Sequence, residues 1–439
     1  MKLSKQDEAT LFLQELALHV VGILGRKVEY AQVFAESSLE VRREAVNGVH
    51  RATMVEPRQG IGCLVYQAGS WRYRSFRPGA LDEIGGWVSG CDVKSRTFPT
   101  VMRTQVNALP VEFQSHPDGQ ARFFENHVLR NFAVADSWNT SVAHTDETVR
   151  RRSEVRHQRE GRWYRGLSRW LGSPDRLSSP AAGAAELVQT ARERALAAAR
   201  ARSWGRQCST VVFEKSAGAG LLHELLGHAL EGDNAAMESP YTRQLLKGET
   251  IPQILTVRDD PSILNGYGSY RFDDEGQAGK GHYMVAAGEC SPLSSIRSSW
   301  ATERPSTGNG RRQDYRYPAI PRASNTVVEA GGEGDESILT PDRQGTLVVG
   351  CLGAGEINMA TGEFVFSALD SYFLTADGER EPVRDASLVG NAIQVLQKLE
   401  AVGREAATEN ITCGKQGQYI GVGLSSPRMR FAKLDWTAA

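Results

Sequence analysis

The sequence predicts an α+β fold in which a helix-and-sheet N-terminal domain is followed by a β-rich C-terminal domain that carries an H-E-x-x-x-H helix. The 439 residues exceed what one hydrophobic core usually organises, so two domains are expected. The spacing of apolar residues changes from helical to strand-like in each half of the chain. A loop rich in Ser and Pro, GSPDRLSSP, separates the halves, which we place at residues 1–180 and 181–439.

The N-terminal half is predicted as one helix packed on an antiparallel sheet. Its first apolar residues recur at three- and four-residue steps and so share one helix face: Leu13, Leu16, Val20, Ile23 and Leu24. Gly25 can end this helix. Strand-like alternation runs from about residue 28 to 71, with turn signals at Asn47–Gly48 and Ala68–Gly69–Ser70. Two further strands are predicted within residues 121–138 and 153–166.

The C-terminal half begins with an Ala-rich segment, residues 181–204, that favours a helix. The short apolar segment CSTVVFE predicts a strand, and SAGAGLLHELLGHALEGD enters a second helix after a turn of small residues. Gly-bounded strands such as TLVVGCLG and GEFVFSALDSYFLT follow, with one more helix near SLVGNAIQVLQKLEAVG. These elements predict an α+β domain.

Charge and cysteine usage exclude several classes of protein. The chain has 51 basic and 52 acidic residues, which argues against a protein that coats nucleic acid or a membrane surface. Its six cysteines form no C-x-x-C pair, so free thiols in a reducing compartment are expected. The N-terminus does not resemble a signal peptide, and no apolar run is long enough to span a membrane. We therefore expect a cytoplasmic protein.

The segment HELLGH, residues 223–228, brings two imidazoles and one carboxylate close together. In the commoner H-E-x-x-H pattern the histidines lie about 40° apart around a helix and can face one metal ion. The five-residue separation of His223 and His228 spreads them by about 140° on an ideal helix, so the helix must be distorted or broken between them. Gly227 stands where such a distortion costs least steric strain.

A catalytic zinc site typically has three protein ligands and one open position, so a third ligand must come from elsewhere. Cys413 is the first candidate because the glycines around it let the backbone approach closely, and Lys415 would favour its thiolate. The competing candidates are His282, Asp233 and Glu231. In such a site Glu224 could take a proton from the water that the ion activates, which predicts peptide or amide hydrolysis.

The competing structural interpretation is that His223 and His228 are core histidines bonded to the backbone and that Glu224 faces solvent. A single histidine would usually deserve this interpretation. An accidental H-E-x-x-x-H string is expected in roughly one in a hundred chains of this kind, so the metal interpretation is favoured.

The segment LLHELLGHALEGD, together with TCGKQGQYIGVGLSSPRMR, resembles the TldD/PmbA family of metallopeptidases, and specifically its metal-binding, TldD-like members. Further landmarks of the family follow in the expected order: DDEG, STGNGRR, PRASNTVV and INMATGEFVFS. The resemblance covers nearly the whole C-terminal half and, more loosely, residues 30–83. Between about residues 85 and 111 the chain is shorter than the family's usual helical segment.

The resemblance implies a metallopeptidase domain in which His223, His228 and Cys413 bind Zn²⁺ and Glu224 is the general base. Its implied substrates are unfolded peptides, modified peptide precursors or small peptide-like conjugates, including those of antibiotic biosynthesis. The implied partner is a PmbA-like (TldE-like) subunit in a heterodimer, with a homodimer as the alternative. We expect no membrane partner and no nucleic acid.

Other residues of the C-terminal half are candidates for contacts with a substrate or a ligand. Arg311 and Arg312 could bind a substrate carboxylate or hold a loop through salt bridges. Tyr315 and Tyr317 could offer a hydroxyl to the tetrahedral intermediate. Asp233 and Glu231 lie near the histidines in the sequence. Their carboxylates could orient a ligand imidazole, or both residues could end the helix in solvent.

Two rival functions come from other features. Residues 150–170 interleave arginines with Trp163, Tyr164 and Trp170, a composition typical of a nucleic-acid-associated protein such as a gyrase modulator. The near-zero overall charge favours a solvated strand instead. A non-catalytic scaffold subunit is disfavoured because all four residues of the predicted metal site are present.

Overall fold

The computed structural model describes a mixed α+β fold rich in strands, which confirms the predicted fold class. The described residues are 5–94, 98, 119–248, 250–263, 266–302 and 304–438. Most of the shortened segment, residues 85–111, lies outside them. Within the described ranges, each helix is too short or too polar to cross a lipid bilayer.

Six long strands form an antiparallel sheet in the N-terminal half. They are β1 (Tyr30–Val46), β2 (Val49–Gln67), β3 (Ser70–Phe76), β4 (Gly119–Asp136), β5 (Ser141–Arg159) and β6 (Arg162–Gly172). Their order is β3-β2-β1-β4-β5-β6. The turns at Asn47–Gly48 and Ala68–Gly69 have φ between 49° and 77°, the conformation that tight hairpins require, and they confirm the predicted turns.

Helix α1 (Lys5–Leu24) packs on one face of this first sheet, as its apolar spacing predicts. Four residues of the predicted face are fully buried: Leu13, Leu16, Val20 and Leu24. The N–H of Gly25 donates to the carbonyl of Val21 at 2.8 Å where the helix ends. After β3, a 3₁₀ segment (Pro78–Glu83) leads into the short helix α2 (Ile84–Trp87), which joins the same core.

Helix α3 (Ala184–Arg200) also packs on the first sheet, although it follows the loop rich in Ser and Pro. Leu187 and Ala191 pack in one cluster with Phe123 of β4. The helix lies so close to β6 that a Cβ at Gly166 would stand 1.8 Å from the carbonyl oxygen of Ala191. The domain boundary after residue 180 stays a prediction, and the helix that follows it contributes to the core of the first sheet.

The C-terminal half contains six short α-helices among its described residues. They are α4 (Ala217–Leu222), α5 (Gly232–Ala235), α6 (Pro240–Leu246), α7 (Ile296–Thr302), α8 (Asp335–Leu339) and α9 (Ala392–Gln397). Apart from the turn His223–Gly227, the remaining regular elements are strands. The first strands are β7 (Gly205–Phe213), β8 (Val257–Asp259), β9 (His282–Ala286), β10 (Glu289–Cys290), β11 (Gly310–Arg311), β12 (Ile320–Pro321), β13 (Asn325–Val328) and β14 (Thr346–Val349).

The later strands complete two larger sheets. They are β15 (Cys351–Ile357), β16 (Glu363–Leu369), β17 (Ser371–Leu374), β18 (Arg380–Val383), β19 (Ala386–Asn391), β20 (Leu399–Val402), β21 (Ala407–Lys415), β22 (Gln418–Ser426) and β23 (Met429–Ala438). A six-stranded sheet has the order β10-β9-β8-β13-β22-β21. A nine-stranded sheet has the order β15-β16-β19-β23-β7-β14-β17-β18, with β20 paired to β23.

The predicted helix near residues 387–403 is wrong in extent. Only α9 is helical, because β19 before it pairs with β16 and β23, and β20 after it pairs with β23. The side chain of Asn391 accepts a hydrogen bond from the N–H of Ile393 at 3.1 Å and so caps the start of α9. Pairing with neighbouring strands overrides the helical pattern on both sides.

Polar contacts join the loop after β11 to the first sheet. The hydroxyl of Tyr73 donates to the carbonyl of Tyr315 at 2.6 Å, and the N–H of Tyr315 donates to Glu36 at 2.8 Å. The guanidinium of Arg312 donates to the side-chain oxygen of Gln32 at 3.2 Å. This loop therefore holds the two halves of the chain together.

Candidate metal centre

The H-E-x-x-x-H segment follows α4, whose small residues let it lie directly on two strands. The N–H of Ala219 donates to the hydroxyl of Ser426 in β22 at 3.0 Å. A Cβ at Gly218 would stand 2.5 Å from the sulfur of Met429 in β23, closer than side-chain contacts allow. Small residues at these positions therefore permit the approach that carries the following turn into the C-terminal core.

The two histidines lie on a π-helical turn, His223–Gly227, which continues α4. The N–H of His228 donates to the carbonyl of His223 at 3.1 Å, a bond that spans five residues. This wider turn brings residues five apart onto one face, which an α-helix does not do. The centroids of the two rings are 4.9 Å apart. The π turn is the distortion that a shared ion requires.

Cys413 meets this pair from the β21–β22 hairpin, 185 positions from His228 in the chain. Its sulfur lies 3.1 Å from Nε2 of His228. Candidate ligand atoms of His223, His228 and Cys413 all lie within 4.8 Å of one another, and all three residues are buried. The fold therefore brings the first candidate for a third ligand close to both histidines.

The Nδ1 atom of each imidazole has a hydrogen-bond partner outside the cluster, so the Nε2 atoms of both rings can face Cys413. Nδ1 of His223 lies 3.0 Å from the hydroxyl of Thr326 in β13, and Nδ1 of His228 lies 2.9 Å from a carboxylate oxygen of Glu231. Such partners fix the orientation and tautomer of a metal-binding imidazole. Nε2 of His223 is buried and has no hydrogen-bond partner among the residues that the structure describes.

Glu231 is a fully buried carboxylate held by several donors. Nζ of Lys415 lies 2.8 Å from it, and the N–H of Ala323 donates to it at 3.2 Å. Burial raises its pKa, but the charges of Lys415 and His228 outweigh burial and hold the pKa of Glu231 below its ordinary value. Glu231 is therefore ionised and orients His228.

The electrostatics of the cluster suit a cation. Burial raises the pKa of the Cys413 thiol, but His223 and His228 outweigh it and bring that pKa well below its ordinary value. Burial lowers the pKa of His228, but Glu231 and then Cys413 outweigh it and raise that pKa well above its ordinary value. The cluster thus favours a thiolate beside a positive charge, and a metal ion would take the place of the proton on His228.

Glu224 lies at the edge of the cluster. Its carboxylate oxygen is 3.7 Å from Nε2 of His228, and its side chain is 25% exposed. This carboxylate therefore reaches both the cluster and solvent. A group so placed can exchange protons with a water molecule beside the ligand atoms.

Asp233 and Lys415 play parts different from those that the sequence suggested. Lys415 was expected to favour the thiolate of Cys413, but its Nζ contacts Glu231 and lies 2.5 Å from Asp233. The low pKa of Cys413 instead comes from the two histidines. Asp233 contacts Lys415 and Gln416, so its link to the cluster runs through that lysine.

The predicted substrate-binding residues lie in the loop beside the first sheet. Arg312 is buried and donates to Gln32 and to the carbonyls of Asp274 and Tyr317, contacts that hold the loop. Tyr315 packs in an apolar cluster with residues of the first sheet, away from the two histidines and Cys413. Tyr317 contributes its carbonyl to Arg312. Arg311 is the last residue of β11, and it lines a cavity together with Arg312.

Two other predicted groups lie outside the cluster. His282 is in β9, and its Nε2 lies 3.3 Å from the carbonyl oxygen of Ser291. In the arginine-rich strands β5 and β6, three guanidinium groups converge on the carboxylate of Glu154 at 3.0–3.2 Å: those of Arg152, Arg156 and Arg165. These arginines have an acidic partner within the sheet.

Two residues that the sequence did not single out also support the cluster. Thr326 contacts His223, and Arg322 donates to the carbonyl of Cys413 at 2.9 Å. Both belong to the segment PRASNTVV, which was quoted only for its resemblance. Neither is spaced regularly from the histidines, so only the parallel pairing of β13 with β22 brings them there.

Comparison with known proteins is consistent with this geometry. A family model described as the PmbA/TldA metallopeptidase C-terminal domain matches residues 206–438, more than half of the chain. The chain belongs to the PmbA/TldD family. The match includes the π turn and the hairpin that carries Cys413, so the cluster lies wholly within the part of the chain that defines the family.

Curated PmbA/TldD relatives match the C-terminal half. The Metalloprotease TldD homolog of Haemophilus influenzae is 32% identical over 218 residues, 49% of this chain and 45% of the relative. The Metalloprotease TldD homolog of Buchnera aphidicola is 30% identical over 217 residues, 49% and 45% of the two chains. The matched region thus spans less than half the length of these relatives.

A solved PmbA/TldD structure extends the likeness to the whole fold. TldE from Thermococcus kodakarensis superposes with a TM-score of 0.72 at 13% identity, over 96% of this chain and 100% of that chain. This likeness concerns the fold alone, and it extends over both halves of the chain.

Proposed function

We propose that this protein is a zinc-dependent peptidase or amide hydrolase in which His223, His228 and Cys413 hold the metal and Glu224 is the general base. The observation that carries the proposal is the convergence of two imidazoles and a thiol within 4.8 Å on buried elements from distant parts of the chain. Two nitrogen atoms and one sulfur atom form a donor set that suits zinc, and three protein ligands leave one position open.

The unpartnered Nε2 of His223 supports a metal rather than a structural role. A buried nitrogen without a partner is costly in a core histidine, whereas a metal ion would satisfy it. A zinc ion bound there acts as a Lewis acid that polarises a carbonyl group and acidifies water. Thr326 and Glu231 keep the two rings in the orientation that this role needs.

Glu224 supplies the proton transfers of hydrolysis. Its carboxylate takes a proton from the attacking water and returns it to the nitrogen of the leaving amine, so no net proton is consumed in the cleavage step. Its partial exposure lets it meet water at the rim of the cluster. The buried surroundings of His223 and Cys413 keep other solvent away from the ligand atoms.

The substrates that we propose are unfolded peptides, modified peptide precursors or small peptide-like conjugates, including those of antibiotic biosynthesis. The names of the curated metalloprotease relatives support a peptidase, and the likeness to TldE supports a TldE-like partner subunit, with a homodimer as the alternative. All six cysteines are free, which supports a reducing compartment such as the cytoplasm.

Replacing Glu224 separates metal binding from catalysis. We expect Glu224→Gln to retain the zinc content of the unaltered protein and to lower kcat for peptide hydrolysis by about 100-fold or more, because general-base catalysis contributes about 10²–10⁴-fold. Elemental mass spectrometry measures the zinc content. A quenched fluorescent peptide library measures the rate of hydrolysis. The exposed Glu379→Gln serves as a matched control and should change neither quantity. Full activity of Glu224→Gln would remove the proposed mechanism.

A further inference from the structure

A cavity of about 590 Å³ lies between the β21–β22 hairpin and the first sheet. Thr412, Ile420 and Gly421 of the β21–β22 hairpin line it, together with residues of the first sheet. Thr412 precedes Cys413 in the chain, and Ile420 is the partner of Cys413 across the hairpin. The cavity is therefore separated from the cluster by no more than the thickness of this hairpin.

Arg311 lines this cavity and has no carboxylate within 4.0 Å among the described residues. Its guanidinium donates to the carbonyls of Ala323 at 2.6 Å and Gly421 at 2.9 Å, which fix its position, while the carboxylates of Asp274 and Asp259 act on its charge only from beyond 4.0 Å. Burial lowers the pKa of Arg311, yet a guanidinium remains charged in any protein environment. A cation so placed favours an anionic partner.

Arg150 of β5 also lines the cavity. Its nearest carboxylate oxygen belongs to Glu40 and lies 4.0 Å away, beyond hydrogen-bonding distance. Tyr267 lines the same cavity. Burial raises the pKa of its phenol, and the charges of Arg150 and Arg311 partly offset that rise. Tyr267 packs on Gly421, where a Cβ would stand 2.5 Å from its ring. We call Arg150 and Arg311 the arginine pair.

The acidic side chains that line the cavity already have partners. Backbone N–H groups or basic side chains contact each of them at 2.6–3.1 Å: Glu40 with Arg42, Asp146 with His144, Glu147 with His127, Asp273 with the N–H of Gly310, and Asp274 with Arg130. Among the arginines of the lining, Arg42, Arg58 and Arg130 contact carboxylates, whereas the guanidinium groups of Arg150, Arg311 and Arg312 have none within hydrogen-bonding distance among the described residues. Arg312 is buried and holds the loop after β11, so the arginine pair is the part of this unmatched charge that can meet a ligand.

We propose that the arginine pair binds a carboxylate of the substrate and so directs cleavage to anionic peptides or conjugates. A guanidinium binds a carboxylate through charge-assisted hydrogen bonds, and in this proposal a bound substrate reaches from the cavity past the β21–β22 hairpin to the metal centre. Two sources share this chemistry: the C-terminal carboxylate of the substrate and an Asp or Glu side chain. The proposal rests on the hydrolase function but concerns its substrate class.

Direct binding tests the proposal separately from hydrolysis. Zinc-loaded Glu224→Gln protein is titrated against four labelled peptides of one sequence, with Glu or Gln at the two central positions and with a free or amidated C-terminus. Fluorescence anisotropy gives each Kd. We expect one of the two carboxylates to tighten binding by about 10- to 100-fold, the range expected for hydrogen bonds to a charged group. The peptide that shows the gain identifies the source.

Variants then locate the binding site. Arg150→Gln and Arg311→Gln, each added to the Glu224→Gln protein, should abolish the preference for the anionic peptide. The control is Arg206→Gln, which removes an exposed arginine of the same charge from β7. This variant should retain the preference for the anionic peptide. Arg150 has no short ion pair, so its replacement keeps the test valid if Arg311→Gln fails to fold.

The outcomes distinguish the proposal from the hydrolase function. Equal Kd values for all four peptides, or a preference that survives in Arg150→Gln, would overturn the arginine pair as a carboxylate site. Hydrolysis by the unaltered protein without preference would also overturn it while leaving the hydrolase function intact. A charge preference in binding without hydrolysis of any peptide would support the site and contradict the function.

Discussion

Glu231 holds the orientation of one imidazole of the candidate metal centre. It lies three residues after His228 and contacts the Nδ1 of that ring, while Lys415 and the N–H of Ala323 keep it ionised and in place. An ionised partner at Nδ1 makes Nε2 a stronger donor to a metal. The sequence offered both Glu231 and Asp233 for this part, and only the structure distinguishes them.

Replacing Glu231 should weaken metal binding while leaving the ligands intact. We expect Glu231→Gln to lower zinc affinity by about 10- to 100-fold, because a neutral amide holds the His228 ring less strongly. Competition with a fluorescent zinc chelator measures the affinity. Asp233→Asn is the matched control, since Asp233 contacts Lys415 but neither histidine. Equal losses in the two variants would show that Glu231 acts through general charge rather than through His228.

The residues of the cluster were predictable to different degrees. His223, Glu224 and His228 form a local pattern whose chemistry can be recognised from spacing. Cys413 was one of several candidates in the residue-based argument, and the resemblance then pointed to it. Thr326 could not be found from spacing, since its contact with His223 depends on how β13 lies beside α4. Distant partners of a local motif are determined by topology.

At the scale of elements, the π turn explains how histidines five residues apart come to share one face. The sequence required a distortion and suggested Gly227 as the position where it costs least steric strain. The structure assigns the distortion to the hydrogen bond between residues 228 and 223. A Cβ at Gly227 would lie 3.5 Å from Nδ1 of His223, an ordinary contact distance, so an alanine would be tolerated there. The π-helical form could not be predicted from the spacing alone.

The packing of α3 on β6 offers a prediction about stability. Because a Cβ at Gly166 would meet the backbone of α3, we expect Gly166→Ala to lower the free energy of unfolding by about 3 kcal/mol, the upper end of typical overpacking costs. The loss should appear as a melting temperature several degrees lower. Gly332→Ala is the control, since a Cβ there has no atom within 4 Å. Equal melting temperatures for both variants would mean that α3 does not pack this closely.

The strands and hairpins of the first sheet were more predictable than the elements of the C-terminal half. Turns such as Asn47–Gly48 carry their own sequence signal, and the strands beside them alternate over many residues. The segment around α9 has a helical pattern, yet the residues before and after α9 form strands because they pair with neighbouring strands. Local patterns predict an element well where no distant strand competes for the same residues.

At the scale of the molecule, the two halves of the chain meet around the cavity that the β21–β22 hairpin lines. Loop residues such as Arg312 and Tyr315 bind the first sheet, and the hairpin with Cys413 forms the opposite side of the cavity. The sequence predicted two domains but could not show that their contact borders the cluster. Substrate selection by the arginine pair would depend on this contact, because Arg150 comes from the first sheet and Arg311 from the second half.

The coordination of a bound metal is the most direct test of the account. X-ray absorption at the zinc edge of the reconstituted protein reports the kind and number of ligand atoms. The account predicts one sulfur at about 2.3 Å and two imidazole nitrogens at about 2.0–2.1 Å, with the sulfur lost in Cys413→Ser. A zinc ion surrounded only by nitrogen and oxygen in the unaltered protein would contradict the claim that the π turn and the hairpin share one ion.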